Sequence, residues 1–241
     1  DLIIAIATPS AQAAYGAAKD KGIPLVFSAV ADPVAAGLAN EDGSNIEGVT
    51  GTSDKLPLTA TFDLIKKLTP DAVKIGILHN TAEVNSDMQL AEAQQLAGDY
   101  GFEIVEKGIT STNEIASALD AVLPDVDVMM NLTDNMVVSS LALVVQKCNE
   151  AKIPLYGSED TQVTSGALAS AGVDYEALAH INGEMAAKIL EGTAPETLPI
   201  ENLKEPKLIV NADQLELLGL NLSDDLKDSV ELVTTAADEE A

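Results

Sequence analysis

Short apolar runs alternate with longer amphipathic stretches along the whole chain. The runs at 2–7, 23–29, 46–50, 73–78, 102–107, 126–131, 153–156, 167–169 and 207–210 predict strands, being short, mostly apolar and bounded by turn residues. Helical spacing fills the gaps. Thr8 predicts an N-cap, with Pro9 at the first helical position and Gly22 past the end. Residues 58–68 place Phe62, Leu64, Ile65 and Leu68 on one side of a helix. Further helices are predicted over 87–100, from a capping box of Ser111 and Glu114 to Val122, over 136–151, and where Leu178, Ile181, Met185 and Ile189 recur before Gly192. Pro195 and Pro199 mark an irregular connection.

Apolar strand runs alternating with helices imply an α/β architecture of parallel sheets flanked by helices on both faces. The block from 73 to 169 holds five βα-like units and makes a complete lobe, whereas the block before it holds three strands. That first block reads as short by about two βα units. From Asn221 onward the chain carries seven acids and one Lys, which predicts a mobile tail or a loosely docked helix.

Hydrophobic residues make up 46% of the 241 and charged residues 22%, enough apolar side chains for a core. The charge changes the picture: 39 acidic residues against 13 basic ones, all Lys, give a net charge of −26 with no Arg. Such a surface repels phosphate backbones and anionic membranes, so nucleic acid is excluded as a partner class. Any bound carboxylate must be held by Lys, hydroxyls or backbone N–H groups, since no guanidinium fork is present. The single Cys148 excludes an internal disulfide, a Cys-rich zinc site and two-cysteine acid–base chemistry, and its helical flanks predict a half-buried thiol. No apolar run reaches the roughly 18 residues that span a bilayer. The sequence shows neither a signal peptide nor an initiating Met, so an upstream segment removed by processing or by the choice of ends is expected.

The dinucleotide fingerprint, the P-loop, the zincin helix and the nucleophile elbow are all missing. What the sequence does place at the carboxyl ends of its strands, where open parallel sheets bind ligands, is a set of polar residues. Thr8 and Ser10 follow the first strand, and Ser28 ends the second with Asp32 beyond it. His79 and Asn80 follow the run at 73–78, and Asn85 and Ser86 open the next helix. Thr133, Asp134 and Asn135 follow 126–131, Ser158, Glu159 and Asp160 follow 153–156, and Asp174 and Tyr175 follow 167–169. Thr8, Ser86, Thr133 and Asp134 are equally good N-caps, and a cap and a ligand contact are compatible roles. Tyr15, Phe27, Tyr156 and Tyr175 lie near these loops and suit either packing or stacking.

Several ordered stretches resemble one family. They are Ala5-Ile6-Ala7-Thr8-Pro9-Ser10-Ala11-Gln12-Ala13, the run from Ile23 to Leu38 containing Phe27-Ser28-Ala29-Val30-Ala31-Asp32-Pro33, and Asn45-Ile46-Glu47-Gly48-Val49-Thr50-Gly51. Ile75-Gly76-Ile77-Leu78-His79-Asn80, Glu83-Val84-Asn85-Ser86, Thr133-Asp134-Asn135, Ala151-Lys152-Ile153-Pro154-Leu155-Tyr156 and Gly166-Ala167-Leu168-Ala169 continue the match to about Leu222. The chain is similar to ABC transporter substrate-binding proteins, the family that includes tryptophan- and tyrosine-binding lipoproteins. The resemblance implies a two-lobed type I periplasmic-binding-protein fold with three crossovers. Residues 1–54 and 174–203 form the first lobe, lacking its first two βα units. Residues 55–173 and 204–220 form the second, and 221–241 an acidic tail. It implies a ligand, expected to be an aromatic or hydrophobic amino acid, captured in the interlobe cleft by hinge bending, with ABC permease subunits as partners and no cofactor, metal or catalysis. Thr8, Ser10 and Ser28 are carried over for the first lobe. Asn80, Asn85, Ser86, Thr133, Asp134, Ser158 and Glu159 are carried over for the second, with Asp174 at the crossover. Hydroxyls and helix N-termini would take the carboxylate, and Asp134, Glu159 or Asp174 the ammonium. Membrane attachment would come only through a missing N-terminal lipid anchor, on the extracellular face or in the periplasm.

Two other classes compete with this reading. A ligand-sensing domain of a receptor or regulator with the same fold needs an output domain beyond these termini. A racemase-type enzyme needs paired acid–base residues, which the single cysteine disfavours. The charge balance carries a prediction of its own. Raising NaCl from about 0.1 to about 1 M shortens the screening length from about 10 to about 3 Å and quiets acid–acid repulsion. The thermal midpoint should therefore rise by several degrees across that range, read by circular dichroism; a flat or falling midpoint contradicts the argument.

Overall fold

The computed structural model describes residues 1–202 and 205–236. The chain opens with β1 (Ile3–Ile6), α1 (Thr8–Ala18), β2 (Leu25–Ser28) and β3 (Val49–Ser53). Then follow α2 (Leu58–Leu68), β4 (Lys74–Asn80), α3 (Val84–Ala97), β5 (Glu103–Ile109), α4 (Ile115–Val122) and β6 (Val128–Met130). Next come α5 (Asn135–Ser139), α6 (Leu141–Ala151), β7 (Leu155–Gly157), α7 (Asp160–Thr164) and β8 (Ala169–Gly172). The chain finishes with α8 (Tyr175–Leu190), β9 (Glu201–Asn202), β10 (Lys207–Asn211), α9 (Ala212–Leu218), α10 (Asp224–Lys227) and β11 (Glu231–Val233). No helix among the described residues is long and apolar enough to cross a membrane.

These elements form two compact units. Unit 1 comprises residues 1–55, 83–88 and 174–205, and unit 2 comprises 56–82, 89–173 and 206–241. Residues 83–88, with Asn85 and Ser86, therefore fall in unit 1 rather than with the second lobe.

Unit 1 holds a parallel sheet in the order β1-β2-β3-β9. The central strand β2 is apolar on both faces because both are covered. Leu25 and Phe27 point into one cluster with Val30, Leu38 and Val49, while Val26 between them packs against Met185 and Ile189 of α8. β1 is an edge strand and leaves Ile4 and Ile6 52% and 69% exposed.

Unit 2 holds a sheet in the order β11-β10-β8-β7-β6-β4-β5. Alternation again divides β4 and β6 between two cores. Ile75, Ile77, Val128 and Met130 join the cluster around Phe62, Leu64 and Ile65, and Leu78 and Met129 join the one around Leu119, Val144 and Cys148. Phe62 meets Tyr100 and Phe102 edge-on, each at 5.3 Å between centroids.

The structure departs from the sequence pattern at several points. Helix 136–151 is two helices with a break at Ser140, where Ser139 Oγ donates to Met136 O at 2.7 Å in place of a continuous ladder. Ser111 caps its turn by accepting from Asn113 N, and Glu114 reaches back chiefly to Thr110 N and to a lesser extent to the Ser111 backbone. The sheet of unit 2 is not purely parallel, because β10 runs antiparallel to β8. β10 enters from unit 1 rather than over a crossover helix of its own sheet, so the right-handed crossover that enforces parallel pairing does not apply. Over residues 222–236 the acidic segment meets the docked-helix alternative rather than the mobile tail, with α10 at Asp224–Lys227. Leu226 is buried in the core with Leu56 and Val210, and β11 pairs parallel with β10 while Glu231 meets Lys207 at 3.4 Å. Its described acids, Asp224, Asp225, Asp228 and Glu231, are exposed, so charge does not oppose the docking of the few apolar side chains. Residues 237–241 of that segment lie outside the described residues, as do residues 203 and 204 at the expected lobe boundary.

Close packing in unit 1 is tightest at Gly51, opposite Phe27. A Cβ there would fall 2.0 Å from Phe27 O and 2.6 Å from its ring. Gly51→Ala should cost about 3 kcal/mol, seen as a lower urea midpoint at unchanged m-value. A midpoint like wild type contradicts the packing argument.

Candidate functional site

The ends of β1 and β2 in unit 1 are conformationally strained. Ala7 and Ala29, immediately past the two strands, hold φ of 69° and 56°. Left-handed backbone costs a non-glycine residue about 1–3 kcal/mol and persists where surrounding structure enforces it, commonly at binding sites. Ala7, not Thr8, occupies the N-cap of α1, so Thr8 is its first helical residue and is buried. Ser10 is exposed, and its hydroxyl donates back to Ile6 O and Ala7 O.

Ser28 ends β2 and accepts a hydrogen bond from Asn182 Nδ2 at 2.7 Å. The same amide donates to Thr52 Oγ1 at 2.9 Å, tying α8 to two strand ends. Asp174 caps α8 by accepting from Ala177 N at 2.9 Å. Asn85 and Ser86 are buried in the first turn of α3, which starts before the expected residue 87, so Ser86 is not its N-cap. Ser86 N donates to Glu83 O, and Asn85 Nδ2 donates to Glu83 Oε2 at 3.3 Å.

Unit 2 gathers the other candidates at the carboxyl ends of β4, β6 and β7. Asp134 is wholly buried and is the N-cap of α5, accepting from Val137 N at 2.9 Å, while its other oxygen accepts from Asn80 N at 2.5 Å. Thr133, expected as an alternative cap, instead pairs with Gln89: Thr133 N donates to Gln89 Oε1 at 3.0 Å, and Gln89 Nε2 donates to the Thr133 hydroxyl. Asn80 Oδ1 accepts from Ala82 N. Glu159 caps α7, a helix the sequence pattern did not indicate, through Thr161 N at 2.8 Å and Gln162 N at 3.1 Å. Gln162 then donates to Ser158 Oγ at 2.7 Å and accepts from Asn131 Nδ2 at 2.9 Å. His79 is buried on β4, with Nε2 3.6 Å from Glu106 Oε2.

The aromatics divide. Phe27 and Tyr156 are fully buried core residues, and burial pushes the Tyr156 phenol well up, its hydroxyl sharing a 2.9 Å bond with Thr69. Tyr15 is half-buried, with Lys19 Nζ 5.9 Å from its ring centroid. Tyr175 is polar in its role, donating to Asp54 Oδ2 at 2.7 Å. Cys148 is buried beyond half, and its thiol is pushed up to about 12, so it is inert rather than nucleophilic. Among the described residues no group of His, Cys, Asp and Glu could hold a metal ion.

Sequence reasoning missed Asp54, Thr52 and Asn182. Asp54 is 4% exposed, its Oδ1 has no hydrogen-bond partner, and burial raises its carboxyl above the usual range, offset only in part by Tyr175 and its own backbone. Because the folded value exceeds the unfolded one, ionised Asp54 lowers stability progressively as pH rises from about 4 through the folded value. Asp54→Asn should therefore gain about 1–2 kcal/mol at neutral pH, with the gain vanishing near pH 4. Urea melts of both proteins at several pH values read this directly; a loss of stability at neutral pH contradicts it.

A family model for ABC transporter substrate binding protein matches residues 1–233. The chain is 45% identical over 220 residues to a tyrosine-binding protein of Clostridioides difficile (strain R20291), covering 91% of this chain and 63% of that protein. A crystal structure of an ABC domain in complex with L-Trp from Streptococcus pneumonia aligns with a TM-score of 0.92 at 32% identity, over 97% of this chain and 78% of that one. The ligand-free, open structure of a substrate binding protein with adhesive properties from Clostridium difficile aligns at 0.73 and 41% identity, over 98% and 79%. The chain spans less than two thirds of the length of the curated relatives it matches. With helices flanking largely parallel sheets in both units, the architecture is the type I periplasmic-binding-protein fold. On the match through residue 233 and the 45% identity, the chain belongs to the ABC transporter substrate-binding protein family.

Proposed function

We propose that this chain is the solute-binding component of an ABC importer and that its ligand is an aromatic or hydrophobic amino acid. One observation carries the choice of ligand: similar proteins include one named for tyrosine and one crystallised with L-Trp. The chemistry of the strand ends supports it. With no Arg in the chain, the ligand carboxylate falls to Lys, hydroxyls or helix N-termini, of which the strand ends supply the last two. Ser28 suits that task, because its oxygen accepts from Asn182 and its hydrogen is left to donate. Thr8, Asn80, Asn85, Ser86, Thr133 and Ser158 add hydroxyl and amide groups at the same ends of their strands.

In this reading the ligand is taken up in the cleft between two lobes, and hinge bending at the crossovers closes them over it. Differential affinity for the closed form drives that shift, and a membrane permease reads the closed form. The protein works on the extracellular face of the membrane or in the periplasm, held there by a lipid anchor upstream.

Titration calorimetry with L-tyrosine, L-tryptophan, L-phenylalanine and the branched-chain amino acids tests the proposal. At least one aromatic amino acid should bind with a Kd of about 10 μM or tighter. No heat with any of them, from protein shown to be folded, rejects it.

A further inference from the structure

Three carboxylates suggested themselves as partners for a ligand ammonium, and each holds the start of a helix: Asp134 at α5, Glu159 at α7 and Asp174 at α8. A fourth does not. We propose that Asp54 is the residue that binds the ammonium group of the ligand, with Tyr175 fixing the carboxylate in place. This rests on the amino-acid reading above and deepens it.

Asp54 directly follows β3 and caps nothing. Its Oδ2 is held by the Tyr175 hydroxyl at 2.7 Å, which stops the carboxylate from turning away. Its Oδ1 is buried and has no hydrogen-bond partner. A second buried acceptor in the same unit is also unpartnered. Asn182 spends its amide hydrogens on Ser28 and Thr52, and its Oδ1 accepts nothing.

The two orphan acceptors share one seam. Tyr175 and Asn182 are seven residues apart on α8, two turns, and so lie on one side of it. Thr52 lies in β3 and Asp54 is the residue that follows its last one. The bonds Tyr175–Asp54 and Asn182–Thr52 join the two segments directly. An ammonium carries three donors and no acceptor, the complement of what this seam leaves unsatisfied. A buried carboxylate oxygen and an amide oxygen, both unpaired, cost stability that a bound cation would return.

The test compares L-tyrosine with 3-(4-hydroxyphenyl)propanoate, which lacks only the ammonium group, by calorimetry. Wild-type protein should prefer L-tyrosine strongly. Asp54→Asn, nearly isosteric and still able to accept from Tyr175, should weaken L-tyrosine binding at least about 30-fold and leave the des-amino compound unchanged. If D54N proves insoluble, Tyr175→Phe carries the same test, with the preference expected to shrink at least about threefold. Equal L-tyrosine affinity in wild type and variant overturns the ammonium assignment alone, as does an equal loss of both compounds, which marks a structural role. Wild-type protein that binds no amino acid overturns the functional reading together with it.

Discussion

The hydrogen bonds that α8 sends to the ends of β2 and β3 join segments more than 100 residues apart in sequence. Asn182 reaches Ser28 and Thr52, and Tyr175 reaches Asp54. Beneath them Met185 and Ile189 close one face of the sheet over Val26. Without that return, unit 1 would be a short parallel sheet bare on one side, and parallel sheets are stable only when both faces are covered. The same contacts that assemble the unit also gather the Ser28 and Thr52 hydroxyls, the Asn182 amide and the Asp54 carboxylate.

A second constraint acts at every strand end. In a parallel sheet a helix must begin soon after a strand finishes, and its first N–H groups need acceptors. Asp134, Glu159, Asp174 and Asn211 meet that need. This is why polar residues cluster at these positions whether or not a ligand binds, and why their presence alone says little about function. Asp54 differs because no helix start claims it. It stands buried, partly paired and at a cost, the condition in which a residue retained for binding is found.

Charge sets the remaining terms. A chain with 39 acids, 13 Lys and no Arg cannot clamp a carboxylate by a bidentate guanidinium fork. The acidic C-terminal segment still docks through Leu226 and the β10–β11 pairing, which supply short-range stabilisation while Asp224, Asp225, Asp228 and Glu231 stay in solvent.

Much of the fold was legible in the sequence. The apolar runs around Ile75, Val128 and Leu155 became strands because an apolar run of that length can satisfy its backbone and bury its side chains in few other ways. Periodicity likewise marked the helix bearing Phe62 and Ile65, and the resemblance of the strand-end motifs marked the family. Other features were decided only by the tertiary structure. The break at Ser140, the antiparallel entry of β10 and the short helix after Glu159 depend on where neighbouring segments arrive. The partnership of Asp54 with Tyr175, 121 positions along the chain, left no local trace at all. Its significance comes from burial and from an oxygen left without a donor, and both are properties of packing rather than of any residue's immediate neighbours in sequence.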